Sequence, residues 1–290
     1  MSNNEQQYLD LLRNILENGE IRDDRTKVGT LSLFCPQILK LDISESIPLM
    51  TTRNLGYKWI IKELLWFIRG ETDNKILTDQ GVKIWIPNTT KEFMDKYKIP
   101  LEENDIGALY GFTLRHWGAD YIDCKTDYTG QGFDQLLYAE NLIKTDPTSR
   151  RIIINHWNPS YFGKQVLTPC HNQIQFYVSK KGLECTLYLR SSDTVCGLPS
   201  NVFCYTLLTY IMAKRCGLKP SMLNVVFGDV HIYSNHVDGV RELLKRKPYP
   251  SPKIHLNGDI AYKAWEDISV DDFKLVGYQS HPKIQFDMAV

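Results

Sequence analysis

The segment between residues 172 and 233 constrains the fold more than any other part of the chain. Polar and apolar residues alternate in two runs joined by a Lys-Lys-Gly turn, Asn172–Ser179 and Leu183–Arg190. Such alternation around a short glycine turn predicts a β-hairpin. An apolar helix of about 16 residues follows, bracketed by Pro199 and Gly217, and Leu223–Tyr233 returns to strand spacing. We therefore expect a sheet with a long helix packed on it.

The other segments mix strands and helices without a regular alternation. Apolar residues at helical spacing predict helices over Gln6–Asn18, Trp59–Arg69 and Gln131–Ile143. Further strands are predicted over Leu31–Phe34, Ile38–Ile43 and Arg151–His156. The polar, proline-bounded residues 87–105 are expected to form a surface excursion. This order favours an α+β fold with a mixed or antiparallel β-sheet packed by helices. Without repeats or linkers, residues 1–290 are expected to form a single domain.

Composition argues against several classes of protein. Lys and Arg balance Asp and Glu at 34 each, whereas a dedicated nucleic-acid binder is normally basic, so DNA or RNA binding is not expected. No apolar run approaches the roughly 18 residues of a membrane span, and the polar start lacks a signal-peptide pattern. Seven scattered cysteines without a C-x-x-C pair argue against a disulfide framework or a structural metal site. They favour a cytoplasmic or nuclear location, and most are expected to be small buried side chains.

Cys170 is the candidate nucleophile. It follows Pro169 and precedes His171, directly before the predicted hairpin. An isolated cysteine more often has a packing role, but this rigid context, with Arg190 on the partner strand, favours catalysis. A neighbouring arginine or protonated histidine lowers the pKa of a thiol. Arg190 and His171 are the candidates for this role, provided that the hairpin folds back on the loop that carries Cys170.

Glu63 lies inside the apolar run WIIKELLWFIR. Burying a carboxylate is unfavourable unless it is used or paired. One interpretation is a general acid or base whose pKa is raised by its surroundings. The other is that Glu63 faces a polar edge beside Lys62, and the residues alone leave both open.

Arginines from three segments form a candidate phosphate site: Arg25 in a loop, Arg150 and Arg151 at the start of a strand, and Arg190 with Ser191. Guanidinium groups match phosphate oxygens in geometry and charge. Adjacent strand residues point to opposite faces, so one of Arg150 and Arg151 is expected to pair structurally. Any one of these arginines alone is more often surface charge.

Asn201 offers a donor and an acceptor on one amide edge, which matches N3–H and O4 of a pyrimidine. A helix N-cap is the alternative interpretation. His231 and Tyr233 share one face of a strand, where they would bind a sugar hydroxyl or fill the core. Tyr110 has no assignment from the residues alone.

Together these segments resemble the thymidylate synthase family. The resemblance runs from Asp24 to Val290 and rests on ordered motifs: Arg-Thr-x-x-Gly-Thr, Glu-Leu-Leu-Trp-Phe-Ile, Gly-Val-Lys-Ile-Trp, Tyr-Gly-Phe, Arg-Arg-Ile-Ile, Pro-Cys-His, Arg-Ser-x-Asp, Gly-Leu-Pro-x-Asn and Gly-Asp-x-His-Ile-Tyr. It implies a homodimer formed through the sheet. It also implies reductive methylation of deoxyuridylate (dUMP) to thymidylate (dTMP) with 5,10-methylenetetrahydrofolate as co-substrate and no metal.

The resemblance implies a role for each candidate residue. Cys170 would add to C6 of the uracil, and the other catalytic residues would be Glu63, Tyr110, His171 and Asp193. The nucleotide would be bound by Arg25, Arg190, Ser191, Asn201, His231 and Tyr233, joined by Arg150 and Arg151 from the other subunit. The folate would contact Trp85, Asn88, Asp193, Gly197 and Val290.

Several positions depart from the family's usual pattern, mostly on the side expected to bind folate: Gly56, Ile86, Leu189, Cys196 and Ser200. One explanation is compensated drift, that is, neutral sequence divergence in which other changes make up for the lost side chains. The alternative is a sister activity in which water replaces hydride, giving a 5-hydroxymethylase of dUMP or deoxycytidylate (dCMP). A remote third possibility is a catalytically weak relative that binds RNA or acts as a scaffold. Asn201 favours uracil over cytosine.

Overall fold

The computed structural model describes residues 4–288, so the candidate folate contact Val290 lies outside the described residues. Within this range the α-helices are α1 (Asn4–Asn18), α2 (Tyr57–Ile68), α3 (Asn74–Asp79), α4 (Ile86–Thr89), α5 (Lys91–Tyr97), α6 (Tyr110–Arg115), α7 (Gln135–Thr145), α8 (Gly197–Arg215) and α9 (Val237–Leu243). The strands are β1 (Glu20–Arg22), β2 (Thr30–Phe34), β3 (Leu39–Asp42), β4 (Ile153–Asn155), β5 (His171–Ser179), β6 (Gly182–Asp193), β7 (Pro220–Tyr233), β8 (Lys253–Leu256) and β9 (Phe273–Val276). Short 3₁₀ turns occupy Pro159–Tyr161, Ser234–His236, Gly258–Ala261, Trp265–Asp267 and Val270–Asp272.

The main sheet has seven strands in the order β1-β2-β7-β6-β5-β4, and β3 also pairs with β7. All of these pairs are antiparallel except β6 with β7, which run parallel. Strands β8 and β9 form a separate small sheet. The predicted α+β fold with a mixed sheet packed by helices is confirmed.

The core forms where α8 packs on β6 and β7 and α2 packs on α8. Helix α8 is buried over most of its surface, which explains why its sequence is apolar almost without periodicity. Helix α2 ends as predicted: Arg69 is its C-cap and Gly70 adopts a left-handed φ of 76°, a conformation that glycine adopts at little cost. The predicted hairpin is the β5–β6 pair.

The prediction of a surface excursion over residues 87–105 is wrong. This segment contains α5 and most of α4. It buries Phe93 and Met94 in a second hydrophobic cluster with Trp66 and Trp85. The polar residues of the segment concealed the apolar face of α5, because two buried apolar residues on one short helix produce no clear periodicity.

Other boundaries also differ from the predictions. Helix α7 begins at Gln135 rather than Gln131, because Asp134 caps it by accepting from the backbone N–H of Leu137. Strand β4 begins at Ile153, so Arg150 and Arg151 precede it. Both arginines are exposed. Neither side chain has a hydrogen bond or ion pair within residues 4–288, so the expected structural pairing of one of them is wrong.

All seven cysteines lie in the described range and are free thiols. Only Cys185 and Cys204 are buried, so the expectation that most would be buried is wrong. In residues 4–288 no helix combines the length and apolarity needed to cross a bilayer.

Candidate active site

The parallel pairing of β6 and β7 builds the floor of the candidate site. Parallel strands bring their carboxyl ends to the same edge of a sheet. Ser191 therefore lies beside Asp229, and Asp193 lies beside His231. Strand β2 joins this edge because Thr30 pairs with Tyr233. Residues that lie far apart in the chain thus share one rim of the sheet.

A cavity of about 800 Å³ opens at this rim, within the size range of small-molecule sites. It brings together most of the residues predicted from the sequence: Arg25, Glu63, Trp85, Asn88, Tyr110, Cys170, His171, Arg190, Ser191, Asp193, Gly197, Asn201, His231 and Tyr233. Arg150 and Arg151 do not line it.

Cys170 is held against Arg190. The backbone N–H of Arg190 donates to the carbonyl of Cys170 at 3.1 Å, and its Nη2 lies 4.0 Å from the Cys170 Sγ. The guanidinium is fixed because it also donates to the carbonyls of Pro169 at 2.7 Å and Thr168 at 2.8 Å. Burial raises the pKa of the Cys170 thiol, an effect that the Arg190 charge opposes. The contact between Arg190 and Cys170 was expected from the sequence. A raised pKa, which keeps the thiol protonated before substrate binds, was not expected.

His171 does not serve as a charged neighbour of the thiol, and that prediction is wrong. Burial lowers its pKa to about 4, so the imidazole is neutral near pH 7. Its Nε2 lies 2.8 Å from Oδ1 of Asn201, and its Nδ1 lies 3.0 Å from the hydroxyl of Tyr205. The ring also stacks on Tyr110. His171 therefore organises the polar end of the cavity.

Asn201 lies inside α8, whose N-cap residue is Cys196, so the N-cap interpretation of Asn201 is wrong. Its side chain faces the cavity and contacts His171. Tyr110, left unassigned by the residues alone, accepts a hydrogen bond from the backbone N–H of Cys170 at 2.9 Å. This contact fixes the backbone that carries the thiol.

Glu63 faces the cavity rather than a polar edge beside Lys62. Its Oε1 accepts a hydrogen bond from the Trp85 indole N–H at 2.8 Å. Burial raises the pKa of Glu63 to about 7, and the Trp85 hydrogen bond opposes that rise. A carboxyl group with a pKa near the working pH suits proton transfer.

The loop before β2 adds a cationic group to the same rim, next to the hydrogen-bonding groups of β7. Asp24 accepts from the backbone N–H groups of Thr26 at 2.6 Å and Gly29 at 2.6 Å, which shapes the loop that presents Arg25. The Arg25 guanidinium lies 5.1 Å from the ring of Tyr97. His231 and Tyr233 both face the cavity, so the interpretation that they only fill the core is wrong.

His231 is oriented by Asp229, whose Oδ1 lies 2.7 Å from Nδ1 of the imidazole. Burial raises the pKa of Tyr233 to about 12, so this phenol stays protonated and can donate. The pair can therefore present two donors to a hydroxyl group bound at the rim.

The positions at which the sequence departs from the family's usual pattern lie in different surroundings. Cys196 and Ser200 line the cavity, whereas Leu189 is fully buried in β6 and Ile86 is 37% exposed at the start of α4. A Cβ atom at Gly56 would lie 2.7 Å from Cδ1 of Trp59. The Trp59 indole, which lines the cavity, thus occupies the space that a larger side chain at position 56 would need. This replacement of one apolar surface by another supports compensated drift.

One group of potential metal ligands lies at the cavity's edge. Asp193, Cys196 and His236 place one ligand atom each within 4.8 Å of one another. The Arg53 charge next to Cys196 and the start of α8 both oppose a bound cation. The expectation of no metal stays a prediction.

Sequence reasoning missed several residues in or next to the site, among them Trp59, Tyr205 and Arg53. Trp59 precedes Glu63 by four residues and Tyr205 follows Asn201 by four, a spacing that places each pair on one helix face. That spacing was available in the sequence. The buried Arg53, which donates to the carbonyl of Val195, gave no local signal.

Comparisons with known proteins agree with this geometry. The thymidylate synthase family model matches residues 6–290. The thymidylate synthase of Saccharomyces cerevisiae is 43% identical over 297 residues, covering 99% of this chain and 97% of the yeast protein. The thymidylate synthase of human herpesvirus 8 type P is 44% identical, covering 99% of this chain and 84% of the viral protein. The bifunctional dihydrofolate reductase-thymidylate synthase of Paramecium tetraurelia is 45% identical over 287 residues, but the chain spans only 61% of its length.

A half-buried cysteine beside a fixed arginine, in one cavity with a carboxyl group of raised pKa, is an arrangement that suits an enzyme working by covalent catalysis. The chain belongs to the thymidylate synthase family. It is a methyl-transferring enzyme, and its relatives favour methylation of dUMP to dTMP over the hydroxymethylase alternative. The family uses methylenetetrahydrofolate as its co-substrate.

Proposed function

We propose that this chain carries out the reductive methylation of dUMP through a covalent bond between Cys170 and C6 of the uracil. The observation that carries the proposal is the meeting of Cys170, Arg190, Glu63 and Asn201 in one cavity. The cavity thereby combines a nucleophile, an anion site, a proton-transfer group and a base-reading amide.

The nucleotide is bound at both ends. Arg25, Arg190 and Ser191 hold its phosphate, and the His231–Tyr233 pair holds the deoxyribose hydroxyl. The amide of Asn201 pairs with N3–H and O4 of the base. These contacts position C6 at the Cys170 thiol, and such positioning supplies much of the rate advantage in reactions between two bound groups.

Cys170 then loses its proton and its sulfur adds to C6. The electron pair of the C5–C6 bond moves toward O4, where the Asn201 amide stabilises the developing charge. The Arg190 guanidinium, 4.0 Å from Sγ, favours the thiolate over the thiol. Addition leaves C5 electron-rich and able to attack a one-carbon unit.

The folate supplies that one-carbon unit and the hydride that reduces it to a methyl group. The indoles of Trp59 and Trp85 give the cavity flat apolar walls, which fit a pterin ring. Asp193 is fixed because its Oδ1 accepts from the backbone N–H groups of Val195 at 2.8 Å and Cys196 at 3.1 Å, and its carboxylate suits a ring N–H. Asn88 and Gly197 complete this wall, and Val290 stays a predicted contact.

Glu63 relays protons in this scheme. With a pKa of about 7 it accepts and releases a proton near neutral pH. Tyr110 and His171 keep this region ordered through their mutual stacking and through the contact of Tyr110 with the Cys170 backbone.

We further propose a homodimer in which Arg150 and Arg151 reach the partner's phosphate. Both are exposed, lie outside the cavity of their own chain and have no side-chain partner within residues 4–288. The exposed residues Gln173, Gln175 and Tyr177 of β5 leave one face of the sheet open for a second copy. A single domain and a cytoplasmic or nuclear location remain predictions.

The test uses dUMP with fluorine at C5. Fluorine cannot leave as a cation, so the reaction should stop after the one-carbon unit has bonded to C5. Mass spectrometry should then find protein, nucleotide and folate in one covalent adduct on the peptide that contains Cys170. Cys196→Ser, which alters another cysteine of the same cavity, should still form the adduct. An adduct on any other residue, or none at all, would contradict the proposal.

A further inference from the structure

Two hydrogen bonds connect the cavity amide of Asn201 to the interior hydroxyl of Tyr205. The His171 ring lies between them, with Nε2 2.8 Å from Asn201 Oδ1 and Nδ1 3.0 Å from the Tyr205 oxygen. Asn201 and Tyr205 are four residues apart on α8, so they project from one helix face. Tyr110 stacks on the imidazole at 4.5 Å and holds the ring plane.

This chain of contacts has two hydrogen-bonding states. His171 is neutral because burial lowers its pKa to about 4, and a neutral imidazole carries one N–H and one bare nitrogen. In the first state Tyr205 donates to Nδ1 and Nε2–H donates to Oδ1 of Asn201. In the second state Nδ1–H donates to the Tyr205 oxygen. The Asn201 amide is then rotated so that its NH₂ group donates to Nε2.

Tyr205 decides between the two states. Burial raises the pKa of Tyr205 well above its usual value, so the hydroxyl keeps its proton. Within residues 4–288 the only hydrogen-bond partner of that hydroxyl is His171. In the second state its hydrogen would be buried without an acceptor, which disfavours that state by a factor of about 5 to 150.

We propose that Tyr205 is a positioning residue for base selection: through His171 it fixes the Asn201 amide in the orientation that reads uracil and rejects cytosine. In that orientation the free lone pair of Oδ1 accepts from uracil N3–H, and Nδ2 donates to O4. Cytosine presents a bare N3 and an amino group, so it requires the rotated amide. The inference rests on the proposed function, in which Asn201 contacts the base.

The variant Tyr205→Phe removes the hydroxyl and keeps the ring. Titration calorimetry without folate would give the dissociation constants of dUMP and dCMP. We expect the preference for dUMP to fall roughly tenfold or more, within the range of 5 to 150 given above. Tyr210→Phe is the matched control, because Tyr210 lies on α8 and donates to the carbonyl of Ile43 at 2.6 Å, away from the cavity. An unchanged preference in Tyr205→Phe would overturn the inference.

Imidazole ¹⁵N NMR of the unaltered protein gives a result that does not depend on how the variant folds. The His171 signal, assigned by its absence in His171→Gln, should report the Nε2–H tautomer. A signal from the Nδ1–H tautomer would overturn the inference.

Asn201→Asp separates this inference from the function on which it rests. A shift toward dCMP in Asn201→Asp with no shift in Tyr205→Phe would refute the Tyr205 role alone. If Asn201→Asp kept the full preference for dUMP, the base-reading role of Asn201 would itself be wrong.

Discussion

The buried carboxyl group of Glu63 should destabilise the folded protein at neutral and alkaline pH. Burial raises its pKa from 4.5 to about 7. Between these values the unfolded chain has lost the proton while the folded protein keeps it. Stability should therefore fall as the pH rises through this window and level off above it. A difference of about 2.5 pKa units corresponds to a penalty of about 3 kcal/mol.

Glu63→Gln should remove this penalty. Glutamine has the same shape, cannot ionise, and its oxygen can still accept from the Trp85 indole. The difference in free energy of unfolding between the variant and the parent should therefore change by about 3 kcal/mol in favour of the variant when the pH is raised from 4 to 8. Catalytic activity should fall in the same variant.

Urea unfolding of both proteins at a series of pH values and one fixed protein concentration would measure this difference. Glu17→Gln is the control, because Glu17 is an exposed residue of α1 and its replacement should leave the pH dependence unchanged. Parallel stability curves for Glu63→Gln and the parent would show that folding does not raise the pKa of Glu63.

Three further predictions address the chemistry. Trp85→Phe removes the indole donor 2.8 Å from Glu63, so the Glu63 pKa should rise by about one to two units in a ¹³C NMR titration; an unchanged pKa would mean that the indole does not stabilise the carboxylate. Cys170→Ala should abolish turnover while calorimetry still detects dUMP binding, and full activity would sink the covalent mechanism. The double variant Arg150→Ala/Arg151→Ala and the single variant Cys170→Ala should each be inactive alone. After equal mixing and exchange of subunits, the mixture should recover about a quarter of the parent activity. No recovery would contradict a site that shares arginines between subunits.

The sequence predicted those elements whose signal is local. The β5–β6 hairpin and the end of α2 at Gly70 followed from alternation, a glycine turn and a helix stop. The Glu63–Trp85 contact could not be predicted, because it joins residues 22 positions apart through packing of two hydrophobic clusters. The N-cap interpretation of Asn201 was wrong because α8 begins four residues earlier, at Gly197, where no polar side chain marks the start. His171 was expected to be charged, but only its burial, which local sequence does not report, makes it neutral.

The parallel β6–β7 pair explains why the identities of the site residues could be predicted from the sequence but their arrangement in space could not. Their order along the chain placed Arg190 and His231 at the ends of two strands. Only the pairing of those strands, with the register of Asp193 against His231, brings them to one cavity. Strand order depends on contacts distant in sequence.

The most direct test of the central claim is to identify both products after mixing the protein with dUMP and methylenetetrahydrofolate. Mass spectrometry would identify the nucleotide, and absorbance would give the oxidation state of the folate. We predict dTMP with an equal amount of dihydrofolate. Hydroxymethyl-deoxyuridylate with tetrahydrofolate would contradict it, and would indicate that water rather than hydride completes the reaction beside Cys196 and Ser200.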